Sequence, residues 1–151
     1  MRHVVVVTDD GVSVPLARAR VNEIARAVLR AEHAGPARLS ITFVSSRRIA
    51  ALNRRHLAHR GSTDVISFGL AADVSGAPVA GDIYIAPEVA RRNATAHRVS
   101  LREELTRLVV HGVLHVLGFD HPEGSGRDAS PMWQRQEQLV ARLTRRTRSA
   151  A

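Results

Sequence analysis

The sequence predicts an α+β fold. One domain covers residues 1–151, with a mixed, mostly parallel sheet of about four strands. Helices pack mainly on one face, and a metal site sits on a buried helix and the turn that follows it. Three observations carry this. Short β-branched runs alternate with helix-period segments early on, then give way to two neighbouring strands and three successive helices. The segment from Leu108 to Leu117 is apolar on nearly every side, as only a buried helix is. Its polar residues are histidines, and a third histidine follows its glycine stop.

The elements follow in order. Residues 3–7, HVVVV, form a buried strand halted by Thr8-Asp9-Asp10-Gly11. Residues 14–32 place Val14, Leu16, Ala17, Val21, Ile24, Ala25, Val28 and Leu29 at helical spacing, ended by Gly35-Pro36. Residues 38–45 alternate Leu39, Ile41 and Phe43 with Ser40 and Thr42, a half-buried strand. Ser46 caps a helix to about His56. Residues 63–68 and 82–86 are strands joined by a Gly/Pro/Ala-rich connection, 69–81. Pro87 opens a short helix to about Ala96. Ser100 with Glu103 makes a capping box for the helix ending at Leu117, where Gly118 supplies a left-handed stop. After a polar loop, 122–129, Ser130-Pro131 starts the last helix. It ends in an arginine-rich tail, Arg142, Arg145, Arg146 and Arg148, read as frayed and solvated. The order is β-α-β-α-β-β-α-α-α.

Composition narrows the function. The chain has no cysteine, which excludes disulfides and thiolate ligands and fits a reducing cytoplasm. The opening run of four valines is too short for a signal-peptide core, and no stretch approaches a membrane span. A soluble, cytoplasmic protein is expected. All 22 basic residues are arginine and the formal charge is +8, a field that attracts polyanions, RNA above all. An arginine-favouring genome gives the same composition.

Chemistry concentrates in His111-x-x-x-His115-x-x-Gly118-x-x-His121. Residues four apart on a helix share a face, so two imidazoles there can hold one metal ion. Gly118 lets the chain turn back and bring His121 as the third nitrogen. Three protein ligands leave a fourth position for water, the layout of a catalytic zinc. Imidazole sites also accept nickel and other divalent transition metals. The same spacing occurs in metzincin peptidases, whose general-base glutamate follows the first histidine. Here that position is Gly112, which disfavours peptidase chemistry but leaves another metallohydrolase open. A non-catalytic RNA-binding module with a structural metal is a further reading, and it gains if a fourth protein donor closes the site.

HGVLHVLGFDH, residues 111–121, resembles the H-G-x-L-H-L-x-G-[YF]-D-H signature of the YbeY family of metal-dependent endoribonucleases of bacterial rRNA maturation. Leu52-Asn53 and Thr63-Asp64-Val65-Ile66-Ser67-Phe68 resemble its L-N…T-D-V-L-S-F block, and Gly81-Asp82-Ile83 its G-D-I strand start. The resemblance spans about residues 40–121. It implies a single-strand-specific endoribonuclease acting on rRNA precursors, with one zinc-like ion on His111, His115 and His121. It also implies the small ribosomal subunit and assembly factors as partners, with no membrane and no DNA. One departure stands out. Where the family often has an arginine, six residues before the Thr of its T-D block, this chain has Leu57.

Other residues are expected around this centre. Catalysis is assigned to the metal held by His111 and its partners, with Arg60 supplying the displaced cation. Arg60 can grip a phosphate bidentately, or it is a solvated loop arginine. Asp120 either bonds a ligand imidazole from outside the metal shell or caps its turn. Glu104, seven residues before His111, either does the same or is a solvated first-turn carboxylate. Ser67 lines a substrate groove or is simply a polar strand position. His3, His33, His56, His59 and His97 are expected on the surface or in loops.

Overall fold

The computed structural model describes residues 2–57, 65–70, 78–119 and 130–150. Four strands, β1 (His3–Asp9), β2 (Ala37–Phe43), β3 (Val65–Leu70) and β4 (Val79–Ile85), form one sheet in the order β1-β2-β4-β3. β1 pairs with β2 and β2 with β4 in parallel, while β3 runs antiparallel to β4. The helices are α1 (Arg18–Ala31), α2 (Ser46–Leu57), α3 (Pro87–His97), α4 (Leu101–Val116) and α5 (Pro131–Ala150). The expected α+β class, element order and mostly parallel sheet are those observed. No helix among the described residues is long and apolar enough to cross a membrane.

Alternation along the strands divides the sheet into two faces. Leu39, Ile41, Phe43, Ile83 and Ile85 point to the main core, where α1 and α4 cover the sheet and α5 packs on α4. The opposite face carries a smaller cluster, in which Ile49 and Leu52 of α2 meet Ile66, Val44, Ala86 and Val89. Helices therefore lie mainly, though not wholly, on one side.

Several boundaries differ from the sequence expectation, each for a local reason. β1 continues two residues past the expected stop, because Thr8 and Asp9 still pair with Thr42 and Phe43. α1 begins at Arg18 rather than at 14. Val12, Val14 and Leu16 repeat every second residue and pack on the core from an irregular segment ahead of the helix. The cap of α2 is Ser45, whose Oγ accepts from the Arg48 amide at 3.1 Å. Ser46 instead faces Glu88. β3 and β4 both reach into the connection read as a loop. α5 is helical through Ala150.

α4 lies close on the sheet at two glycines. A methyl group on Gly112 would sit 2.7 Å from Ile83 Cγ2, and one on Gly69 of β3 would meet Val116 Cγ1 at 3.0 Å. At Ser100 the expected cap is made, with its Oγ accepting from the Glu103 amide at 3.0 Å. Gly118, at φ +102°, ends the helix in a backbone region that side chains disfavour.

Candidate metal centre and the cleft beside it

α4 carries two of the candidate ligands, His111 and His115. His111 and His115 lie one turn apart, with ring centroids 5.2 Å from each other and planes inclined at 72°. His111 is 7% exposed and His115 is half-buried. Gly112 between them faces Ile83 of β4. A residue here points at the sheet, so the position that carries the base in a metzincin is occupied by packing in this fold.

His111 is held from α5. Its Nδ1 lies 2.8 Å from Gln136 Oε1, and Gln136 is 1% exposed. Gln136 Nε2 donates to Glu137 Oε2 at 3.1 Å. Arg107, one turn before His111, grips Glu137 with two nitrogens, Nε at 2.9 Å and Nη2 at 3.0 Å. It also donates to Glu104 at 3.0 Å and to Glu103 at 3.3 Å. Burial lowers the Arg107 pKa, but the bonds and charge of Glu137 and Glu104 outweigh it and hold the guanidinium above its ordinary value. Burial likewise raises the Glu137 carboxyl. Hydrogen bonds from Arg107 and Gln136, with the Arg107 charge, more than reverse this and hold it below the usual carboxylate range.

That depression has a sign. A carboxylate with a lowered folded pKa contributes stability above its unfolded value, about 4.3 for glutamate, and loses it as pH falls through the folded value. Urea unfolding of chelator-treated protein between pH 7 and 3 is expected to show a steeper acid decline for the native chain than for Glu137→Gln. Parallel profiles would remove Glu137 from the acid response.

A cleft of about 490 Å³ opens beside His111, between α3, α4 and α5, with Asn93, His97, Arg107, Trp133 and Gln136 on its walls. His97, read from sequence as an uninvolved surface histidine, is exposed and lines it.

The expected site residues separate into three groups. His111 and His115 are brought together. Ser67 sits opposite Ile83 in β3, on the sheet face that α4 covers, and is half-buried. Glu104 is neither solvated nor shown on a ligand histidine: it is 4% exposed and bonded to Arg107. His121, Asp120 and Arg60 lie outside the described residues, as does most of the stretch after Leu57. Among the described residues no third His, Cys, Asp or Glu completes a metal cluster. The donors that are placed are of the kind a divalent transition metal takes: two imidazoles on one helix face, one bonded through Nδ1 to Gln136.

Sequence reasoning missed Gln136. The signal was present, because Met132, Leu139, Val140 and Leu143 form a buried apolar stripe on α5 and Gln136 is the polar member of that stripe.

The family model described as Endoribonuclease YbeY matches residues 7–144. Three proteins bearing that name are similar. That of Geobacillus kaustophilus is 41% identical over 116 residues, covering 71% of this chain and 73% of its own length. That of Moorella thermoacetica is 39% identical over 131 residues, covering 80% and 83%. That of Anaeromyxobacter sp. is 37% identical over 121 residues, which is 80% of this chain but 62% of the relative. A solution structure of a Thermotoga maritima protein shares the fold, with a TM-score of 0.67 at 24% identity over 97% of this chain and 93% of that one.

Proposed function

Because the chain belongs to the YbeY endoribonuclease family, we propose that it is a metal-dependent, single-strand-specific endoribonuclease of ribosomal RNA maturation and ribosome quality control. The observation that carries this reading is the edge-to-face pair of His111 and His115 on the buried helix α4, with His111 at the wall of a cleft. His121, three residues past the Gly118 turn, is the third ligand. Zinc is the favoured ion, and nickel or another divalent transition metal suits the same nitrogens. When bound, the ion supplies stabilisation of the negative charge that develops on a phosphodiester and lowers the pKa of the attacking water.

The chain's own residues supply binding and orientation. The net charge of +8 draws single-stranded RNA and rRNA precursors to the surface, an attraction that weakens with salt. Arg60 pairs with a phosphate in place of the arginine that Leu57 displaces, and Ser67 lines the groove from β3. Asp120 orients a ligand imidazole from outside the metal shell. The small ribosomal subunit and assembly factors are the partners in this reading, and the cytoplasm is the location.

The test is cleavage of a labelled single-stranded RNA by the native protein and by His115→Ala, each with and without chelator. Cleavage lost in both treatments and restored to the native protein by zinc supports the nuclease. Equal cleavage by the two proteins points to a contaminating RNase. A fully metallated native protein that leaves both free RNA and ribosomal precursor intact moves the reading to a non-catalytic assembly factor.

A further inference from the structure

We infer that Gln136 is a positioning residue for His111: a chain of side chains, Arg107–Glu137–Gln136, dictates which imidazole nitrogen carries the proton and leaves the Nε2 lone pair for the metal. This rests on His111 being a metal ligand, as proposed above.

A carboxamide has two ends of nearly the same shape, and its orientation is set by what each end meets. One end of Gln136 meets Glu137 Oε2 at 3.1 Å, and an ionised carboxylate only accepts. Glu137 is kept ionised and in place by the two-nitrogen grip of Arg107, at 2.9 and 3.0 Å. The Gln136 nitrogen must therefore face Glu137, and its oxygen faces His111 at 2.8 Å. That oxygen only accepts, so His111 Nδ1 must donate. A neutral imidazole has one N–H, which leaves its lone pair on Nε2. The charge on Arg107 is thus read out, two side chains away, as a tautomer.

Two further observations support a role beyond packing. Gln136 and His111 are 1% and 7% exposed, so water has little access to substitute for the bond. Met132, Leu139, Val140 and Leu143 also make 136 a position where leucine would bury more apolar surface without a polar group to satisfy. Arg107 and His111, one turn apart on α4, face Glu137 and Gln136 on α5, so the two contacts fix the lateral register of the helices as well.

The test uses the full chain with Gln136→Leu, Gln136→Glu and Glu137→Gln. Nitrogen-15 NMR of the metal-free protein at neutral pH reads the His111 tautomer, and competition with a chromophoric chelator reads zinc affinity. The native protein is expected to show Nδ1–H at His111. Gln136→Leu is expected to lose that preference and to bind zinc roughly 10–100-fold more weakly. Gln136→Glu, protonated on the oxygen that faces Glu137, retains an acceptor towards His111 and should keep the Nδ1–H form with zinc affinity within a few-fold of native. Glu137→Gln frees the amide to turn and should mix the tautomers. An Nε2–H His111 in the native protein overturns the inference, as does native tautomer and affinity in Gln136→Leu. A native protein with the Nδ1–H form that binds no zinc overturns the metal role of the site while the lock itself stands.

Discussion

His111→Ala is expected to abolish both zinc binding and RNA cleavage, and to destabilise the metal-free protein as well. Removing the imidazole leaves Gln136 Oε1 buried without its donor. An acceptor stranded in this way costs about 1–3 kcal/mol, and the volume left behind in the core adds to it. His115 is half-buried, with more access to solvent. His115→Ala should lose metal and cleavage to the same degree yet leave the metal-free urea midpoint nearly unchanged. Zinc competition and chelator-treated urea titrations of both variants decide the matter. Equal destabilisation by the two substitutions would mean that the bond to Gln136 contributes nothing to folding.

The second large effect belongs to Gly112. Alanine gains about 1 kcal/mol over glycine in helix propensity, so on an exposed helix face the change would stabilise. Here the added methyl meets Ile83 Cγ2 at 2.7 Å, with Cδ1 at 3.2 Å and Cγ1 at 3.3 Å, and Ile83 is fully buried. The clash wins, because overpacking a closed core costs about 1–3 kcal/mol and the nearest atom, Cγ2, is on a β-branched side chain that can move it only by changing χ1. Gly112→Ala should lower the urea midpoint, and trimming the partner with Ile83→Ala should recover part of the loss in a double-mutant cycle. Gly112→Glu, the change that would write a metzincin sequence, also buries a carboxylate against the sheet. It should fail to fold rather than gain peptidase activity. A soluble, metal-binding Gly112→Glu protein would show that α4 can lift from β4.

Much of this was legible in the residues, because periodicity reports local geometry faithfully. The apolar run from Leu108 to Leu117 announced a buried helix, and Ser100, Gly118 and Pro87 marked helix ends that the structure keeps. Local pattern says little about partners distant in sequence. Nothing near β3 reveals that it pairs antiparallel with β4 at the sheet edge. Glu104 looked solvated because its partner Arg107 is held in turn by Glu137 of α5, 30 residues beyond Arg107. Gln136 was hidden for the same reason: its meaning lies in the histidine it meets across the helix interface. The shared helix face of His111 and His115 was legible because a four-residue spacing is recorded directly in the sequence.

The unequal clusters on the two sheet faces give the fold two levels of local stability. The histidine-bearing helix is buried between the sheet, α1 and α5, and it can open only when most of the main core opens with it. α2 contributes Ile49 and Leu52 to a cluster that has six buried members among the described residues. Its amides can reach solvent through a smaller, cheaper fluctuation that leaves α4 undisturbed. The chain can therefore rearrange around α2 while His111 and His115 keep their spacing.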